Sequence, residues 1–279
     1  MKFSLILCTV GRDKEVELFL ESIVKQRYVN FEIVLVDQNL DNRIEFLLNK
    51  FPSLVEKINL IKSEKGLSKA RNIGLQYVDG DIIAFPDDDC IYSEDVLERV
   101  FEFFSSAKEE QVVYSTNTCD ITTGFSLIAC PTSSVNFDKD TLMGCSFTLF
   151  FRGNLKSLKF DERMGVGSGF IWGSGEESDF LYRALENRSS GHFEPDVYVY
   201  HPAKEQDTVD FQRAYYYGAG LAAFRCKHFS KFRAIKSSLL LCYEILKALT
   251  TFKLSKAAFK LGYLLGYIMG LLAWKLTIR

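Results

Sequence analysis

The sequence predicts an α/β fold, with a mainly parallel sheet covered by helices on both faces and a helical extension at its C-terminal end. The first half of the chain alternates short apolar runs with longer amphipathic runs. The apolar runs are nearly continuous, as is typical of strands buried on both faces of a sheet. Hydrophobic residues make up 47% and charged residues 25% of the 279 residues, so the chain can build a sizeable core and is not a disordered polymer.

Five apolar runs in the first half are predicted strands, and the amphipathic runs between them are predicted helices. The strands are 3–8, 31–37, 57–62, 81–85 and 111–116, and the helices are 13–27, a segment near 42–50, one near 68–77 and one from Ser93, as N-cap, to Phe104. After about residue 117 this alternation is lost. A strand near 146–151, a helix from about Glu176 to Asn187, a strand at 197–201 and a wholly helical segment beyond about 207 are predicted to follow.

Charge divides the chain into an acidic body and a basic tail. From Arg225 to the C-terminus there are eleven Lys or Arg and one acid, Glu244, whereas the remaining 224 residues carry 23 basic and 35 acidic side chains. We expect one domain at 1–206, with halves at 1–116 and 117–206, and a tail at 207–279 that binds a negatively charged surface. Seven scattered cysteines without a C-x-x-C pair favour neither a zinc framework nor a disulfide scaffold.

Three polar clusters fall at the carboxyl ends of predicted strands, where open α/β sheets bind their ligands. They are Thr9–Arg12, Asp37–Asp41 and Asp87–Asp89. Crowded carboxylates repel one another unless a cation offsets their charge, so the Asp triplet suits a hard divalent ion such as Mg²⁺ or Mn²⁺ that bridges to phosphate oxygens. The alternative is an acidic turn that only caps the next helix.

Basic residues near a predicted helix start, Lys69 and Arg71 after Gly66, are suitably placed for a diphosphate. The alternative is an ordinary helix whose basic residues face solvent. Asp37 could accept hydrogen bonds from a base or ribose, or it could form an Asx turn.

Three acids, Glu176, Glu177 and Asp179, lie in the first turn of the helix that follows a glycine-rich stretch. Ser174 and Glu177 match a capping box, which is the structural interpretation. The functional interpretation is a general base. His201 ends an apolar strand and could be a third metal ligand, a phosphate contact or a structural histidine.

Six motifs occur in an order and spacing that resemble glycosyltransferase family 2, which has the GT-A fold, a Rossmann-like fold. The resemblance covers roughly residues 1–205. The motifs are LILCTVGR, IVLVDQNLDN, KGLSKARNIGL, DIIAFPDDDC, GSGEESDFLYRAL and YVYHP.

The resemblance implies a nucleotide-binding half at 1–116 and an acceptor half at 117–206. The implied nucleotide contacts are Thr9, Gly11, Arg12, Asp37, Leu67, Arg71, Asn72, Asp87 and Asp88. Asp87 and Asp89 match the D-x-D motif, and the implied metal ligands are Asp89, Asp87 and His201. Glu177, with Glu176 as the open alternative, matches the catalytic base. Acceptor contacts are expected from Asp161–Trp172, where Trp172 could stack on a sugar face or simply fill the core, and from Asp179.

The reaction implied is a single displacement with inversion, in which a divalent metal and Arg71 offset charge on a departing nucleoside diphosphate. The donor would be a UDP-sugar, and the acceptor a lipid-linked or growing glycan of a surface polysaccharide. No nucleic-acid partner is expected. A sugar-nucleotide nucleotidyltransferase, an inactive nucleotide- or sugar-binding adaptor and a phosphoryl-transfer enzyme remain as alternatives.

The tail is predicted to lie on the cytoplasmic face of the membrane as a peripheral element. Lys260 and Lys275 bracket fourteen uncharged residues, a helix of about 21 Å that is short for a hydrocarbon core of about 30 Å, so an interfacial helix fits better than a span. Gly262, Gly266 and Gly270 share one face and would permit close helix packing, for example in a homodimer. The alternative is a helical hairpin packed on the rest of the protein.

Overall fold

The computed structural model describes residues 1–203, 210–251 and 254–277, which form two compact units. The first unit comprises Met1–Lys65, Lys69–Lys159 and Phe180–Ala203, and the second comprises Gly66–Ser68, Phe160–Asp179 and the described residues after 203. The change of unit after residue 203 lies close to the boundary expected at 206. The segment 160–179, by contrast, belongs with the C-terminal residues, and a strand crosses the boundary expected at 116.

The first unit is built on a mixed sheet of parallel and antiparallel strands, whereas a mainly parallel sheet was predicted. Its strands are β1 (Phe3–Thr9), β2 (Phe31–Asp37), β3 (Ile58–Lys62), β4 (Ile82–Ala84), β5 (Ile91–Tyr92), β6 (Gln111–Asp120), β7 (Val135–Phe137), β8 (Leu149–Arg152) and β9 (Ser190–His201). Their order is β3-β2-β1-β4-β8-β6-β9-β5, with β7 beside β9. The β1–β2, β2–β3, β1–β4 and β6–β9 pairs are parallel, whereas β8 runs antiparallel to β4 and β6, and β5 and β7 run antiparallel to β9. The predicted fold class is confirmed.

The helices of the chain occur close to their predicted positions. They are α1 (Lys14–Val24), α2 (Arg43–Leu48), α3 (Leu67–Gly74), α4 (Val96–Ser106), α5 (Glu176–Ala184), α6 (Phe211–His228), α7 (Lys231–Thr250) and α8 (Leu254–Thr277). The predicted N-cap Ser93 is wrong, because α4 has Asp95 at its N-cap. The Ser93 hydroxyl instead donates a 2.9 Å hydrogen bond to the Asp95 carboxylate.

The strand β1 lies inside the sheet, between β2 and β4, and is fully buried. All seven of its residues are buried, and α1 packs Val16, Phe19 and Ile23 into the same core. The helix α3 approaches β1 closely through Gly74, where an added Cβ would come within 2.5 Å of Ile6 Cγ2. The neighbouring carboxyl ends of β1, β2 and β4 therefore share one edge of the sheet, as the pattern of polar clusters predicted.

The second unit contains a tightly packed pair of helices, α6 and α8. A Cβ at Gly266 would lie 1.9 Å from the Tyr215 carbonyl oxygen, and one at Gly218 would lie 1.9 Å from that of Tyr263. The close packing predicted for the glycine face of α8 is confirmed, but its partner is α6 of the same chain. Because α6 occupies this face, the glycines supply no evidence for the homodimer, which stays a prediction. Among the described helices, α8 alone is long and apolar enough to cross a membrane by length and composition.

Candidate functional site

Residues at the end of β1 contact the acidic triplet Asp87–Asp89, which follows β4. Thr9 Oγ1 donates to Asp88 Oδ2 at 2.7 Å. Arg12 Nη1 lies 2.6 Å from an oxygen of Asp88 and 2.6 Å from an oxygen of Asp89. Gly11 adopts a φ of +74°, which favours glycine and turns the chain sharply after the strand. Burial raises the pKa of Asp88, although Thr9 and Arg12 act in the opposite direction.

Two carboxylates and one imidazole converge at this edge of the sheet. Ligand atoms of Asp87, Asp89 and His201 all lie within 4.8 Å of one another. His201 reaches the triplet because it ends β9, beside Asp120 at the end of the parallel strand β6. This set of hard oxygen donors and one imidazole fits a divalent ion such as Mn²⁺ or Mg²⁺.

The ring of His201 is held in one orientation. Its Nδ1 lies 2.9 Å from the Pro202 carbonyl oxygen, its Nε2 lies 3.1 Å from Asp89 Oδ1, and the ring stacks on Phe147 at 4.7 Å between centroids. A backbone hydrogen bond of this kind fixes the tautomer that presents Nε2 to a metal. Burial lowers the pKa of His201, but the hydrogen bond and charge of Asp89 outweigh burial, so the pKa is raised overall.

The predicted diphosphate residue Arg71 is buried beside the same carboxylates. Arg71 Nη2 lies 3.2 Å from Asp87 Oδ1 and donates to Ser146 Oγ at 3.0 Å, while the Ser146 hydroxyl donates to Asp87 at 3.1 Å. The solvent-facing alternative is wrong for Arg71, although it holds for Lys69, which forms an exposed ion pair with Glu64. Sequence analysis missed Ser146, because no motif marks it; it lies in a short 3-10 helix (Ser146–Thr148) where the start of a strand was predicted.

The other two predicted nucleotide residues of α3, Leu67 and Asn72, belong to different units. Asn72 is buried in the first unit. Leu67 belongs to the second unit, where its N–H donates to the Val166 carbonyl oxygen at 2.9 Å.

Asp37 is fully buried at the end of β2. One carboxylate oxygen accepts hydrogen bonds from Asn39 in an Asx turn, and the other lies 2.8 Å from Lys62 Nζ. Lys62 pairs in register with Asp37 across β2 and β3. An open groove of about 690 Å³ lies at these strand ends, lined by Gln38, Asn39, Leu40, Asn42, Lys62, Ser63, Glu64 and Lys65. The turn-forming alternative for Asp37 is therefore present, and Lys62 is a residue of this groove that sequence analysis missed.

The predicted capping box is absent from the start of α5. The helix begins at Glu176, so Gly175 precedes it directly and Ser174 lies outside its N-cap. The Ser174 hydroxyl instead lies 3.5 Å from the Tyr216 carbonyl oxygen. Glu176 is buried and Glu177 is half-buried. Within the described part of the chain, the Glu177 side chain forms no hydrogen bond or ion pair, so its carboxylate is available for chemistry.

The two predicted acceptor residues have side chains buried inside the second unit, and their acceptor role stays a prediction. Trp172 is 1% exposed, donates from Nε1 to the Gly270 carbonyl oxygen at 3.3 Å and meets Trp274 edge to face. It fills the core, as the alternative interpretation held. Asp179 is fully buried and lies 2.7 Å from Lys227 Nζ and 2.8 Å from His228 Nε2.

Comparisons with known sequences agree with the motifs. Residues 4–140 match the family model "Glycosyl transferase family 2". The chain is 27% identical over 207 residues to the minor teichoic acid biosynthesis protein GgaB of Bacillus subtilis, covering 63% of this chain but only 22% of GgaB. It is 31% identical over 97 residues to the glucosyltransferase WfgD of Escherichia coli, "UDP-Glc:alpha-D-GlcNAc-diphosphoundecaprenol beta-1,3-glucosyltransferase", covering 34% of this chain and 38% of WfgD.

Solved structures share the fold. The mannosyltransferase PcManGT of Pyrobaculum calidifontis, in complex with GDP-Man and Mn²⁺, matches with a TM-score of 0.62 at 14% identity over 97% of this chain and 87% of that chain. Residues 1–349 of S. aureus TarS, in complex with UDP-GlcNAc, match with a TM-score of 0.56 at 16% identity over 99% and 92%. The mixed sheet and its flanking helices thus form a GT-A fold. The matched family model, the ordered motifs and the curated relatives support a glycosyltransferase of family 2.

Proposed function

We propose that the protein transfers a sugar from a UDP-sugar to an acceptor hydroxyl, with inversion at the anomeric carbon and with a divalent metal at its acidic triplet. The observation that carries this proposal is the convergence of Asp87, Asp89 and His201, whose ligand atoms lie within 4.8 Å of one another. Arg71 is buried against Asp87, so a fixed positive charge stands beside the metal ligands.

The donor site would be built at the carboxyl ends of the parallel strands. Asp89, Asp87 and His201 would hold the metal, which supplies positive charge that stabilises the departing diphosphate. Arg71 would contact a phosphate oxygen, since a guanidinium suits phosphate. The remaining nucleotide contacts would come from Thr9, Gly11, Arg12, Asp37, Leu67, Asn72 and Asp88. Nucleotide-sugar complexes of PcManGT and TarS, with the same fold, support a donor of this class.

The groove beside Asp37 suits the nucleobase. Its rim offers the side chains of Gln38 and Asn39 and the Lys62 ammonium group. Lys62 holds the buried Asp37 carboxylate in place at 2.8 Å. Lys62, anchored by the buried Asp37, would thereby present its ammonium group to the base or ribose.

Glu177 is proposed as the general base. It would accept the proton of the acceptor hydroxyl as that oxygen forms a bond to the anomeric carbon, while the bond from the anomeric carbon to the nucleoside diphosphate breaks with its electron pair. Glu177 is half-buried and chemically available, whereas Glu176 is buried. This difference favours Glu177 over Glu176.

The acceptor is proposed to be a lipid-linked or growing glycan in surface polysaccharide synthesis. GgaB is named for teichoic acid biosynthesis, and WfgD for an acceptor that carries a diphosphoundecaprenol. A lipid-linked acceptor would place the reaction at the cytoplasmic face of a membrane. In this proposal 1–206 is the catalytic domain and 207–279 the membrane-associating part.

The test is release of nucleoside diphosphate from a panel of UDP-sugars and GDP-Man, with and without Mn²⁺. Wild type is compared with Asp89→Ala and with Asp138→Ala, whose carboxylate only closes an exposed turn with Thr141. Metal-dependent release from one donor, lost in Asp89→Ala and kept in Asp138→Ala, supports the proposal. Absence of both release and nucleotide binding by calorimetry would contradict it.

A further inference from the structure

The helix α8 has two opposite faces. Gly262, Gly266 and Gly270 are buried on the face that packs against α6. The opposite face carries a continuous exposed apolar stripe at helical spacing, made of Leu254, Leu261, Leu265, Ile268, Met269, Leu272 and Leu276. An exposed stripe of this length is unusual for a soluble surface.

The preceding helix α7 packs against α8 and carries a second exposed stripe. Its members, at helical spacing, are Leu239, Leu240, Tyr243, Leu246 and Leu249. We refer to the exposed residues of these two helices as the apolar surface.

Positive charge accompanies the apolar surface. Lys236 and Lys247 are exposed on α7, and Lys256 and Lys275 are exposed on α8. Glu244 is the one acidic residue in the two helices. Within the described residues, none of these four lysines forms an ion pair. A surface that combines exposed leucines with unpaired lysines complements the anionic headgroups and acyl chains of a bilayer.

We propose that the apolar surface of α7 and α8 docks on an anionic lipid bilayer, with the leucines entering the acyl boundary and the lysines contacting headgroup phosphates. Because α6 covers the glycine face of α8, the helix presents one side to lipid and lies in the interface, and it does not cross the bilayer as a single lipid-surrounded span. The inference deepens the membrane location proposed above by naming the surface and the lipid charge. It does not depend on the donor or the reaction.

The test is co-sedimentation of the intact protein with phosphatidylcholine vesicles, with and without phosphatidylglycerol. We expect binding to the anionic vesicles that weakens as salt is added. Lys247→Gln and Lys275→Gln should each reduce partitioning about fivefold. Replacing both Leu265 and Leu272 by Asp should reduce partitioning by about tenfold or more, because leucines that enter the acyl chains contribute most of the binding energy.

Leu18→Asp is the matched control. Leu18 is a leucine on α1 in the first unit and is 48% exposed, against 42% for Leu265. The Leu18→Asp variant should bind vesicles as the wild type does. Calorimetry of nucleotide binding on the same variants separates a folding or donor-site defect from a membrane defect.

Three outcomes would overturn the inference. The first is unchanged vesicle binding by the Leu265 and Leu272 variant, or an equal loss in Leu18→Asp. The second is that the wild type does not bind vesicles but dimerises in analytical ultracentrifugation, and that the Leu265 and Leu272 variant is monomeric. The apolar surface would then bind a second copy of the chain. The third is protein in cell membranes that resists alkaline extraction, which would make α8 a true span.

Discussion

Lys227 and Asp179 form a buried ion pair that joins the last turn of α6 to the first turn of α5, with 2.7 Å between Nζ and Oδ1. His228 also contacts Asp179, at 2.8 Å. Lys227 in addition lies 2.9 Å from Asp161, which pairs with Arg163. The turn that carries Glu177 is therefore fixed by residues about fifty positions away in the sequence.

Removing Lys227 should destabilise the protein strongly. Lys227→Met leaves the fully buried Asp179 with one cationic partner fewer, and breaking a buried pair typically costs about 3–5 kcal/mol. Urea unfolding followed by circular dichroism measures this change. Lys236→Met, at an exposed lysine on α7, should change the free energy of unfolding by less than about 0.5 kcal/mol. Equal stability of the two variants would show that the pair contributes little.

The contacts of Asp161 with Arg163 and Lys227 should make the free energy of unfolding depend on pH. Burial raises the pKa of Asp161, but its hydrogen bonds to Arg163 and Lys227 outweigh burial and hold the pKa well below the usual range. A lowered pKa in the folded state gives stability that is present above the unfolded value of about 4 and is lost as pH falls towards the folded value. Asp161→Asn should therefore lie below wild type in unfolding free energy near neutral pH, and the gap should narrow below about pH 4. A gap that is constant with pH would contradict this origin.

Manganese affinity should rise with pH through His201. The pKa of His201 is raised by Asp89, and a protonated ring cannot bind a metal, so binding must release a proton. Affinity for Mn²⁺ alone, measured by calorimetry in buffers of different ionisation enthalpy, should increase from about pH 6.5 upward until the raised folded pKa is passed. His201→Gln should bind more weakly and show a flatter pH dependence. His192→Gln, at a histidine whose pKa burial lowers, should behave as wild type.

Arg71 should matter for rate more than for folding. Removing a preorganised positive donor at developing charge typically costs about 10²–10³-fold in kcat, so Arg71→Met should lose activity in this range. Lys69→Met, on the same helix but at an exposed ion pair, is the matched control and should keep near wild-type kcat. Steady-state kinetics with the donor that the nucleotide-sugar panel identifies distinguishes the two variants. Similar losses in both variants would point to a defect of α3 itself.

Substitution of the two adjacent glutamates should identify the base. Glu177→Gln should lower kcat by about 10²–10⁴-fold, with nucleotide binding intact. Glu176→Gln alters a buried residue and should act mainly on stability. Thermal unfolding of both variants accompanies the kinetics. A full loss of kcat in Glu176→Gln, with Glu177→Gln active, would reverse the assignment.

Much of the first unit could be predicted from sequence because its signals are local. Apolar runs such as Phe3–Thr9 and Phe31–Asp37 specify strands by composition, and polar residues directly after them mark strand ends. Parallel strands bring those ends to one edge, which predicts that the polar clusters of Thr9 and Asp88 lie near each other, as their hydrogen bond shows. The order of the motifs then indicated the family.

Only the tertiary structure shows which residues are buried and which distant residues bury them. Nothing in the sequence around Trp172 or Asp179 shows that Gly270 and Lys227 bury them, because those partners lie 98 and 48 residues further along the chain. The glycine stripe of α8 permits close packing with any small-residue helix, and the structure assigns it to α6. Sequence thus determined the strands, the polar clusters and the family, which depend on local pattern. Burial, ion pairing and the exposed face of α8 depend on contacts between distant segments, which the folded chain alone establishes.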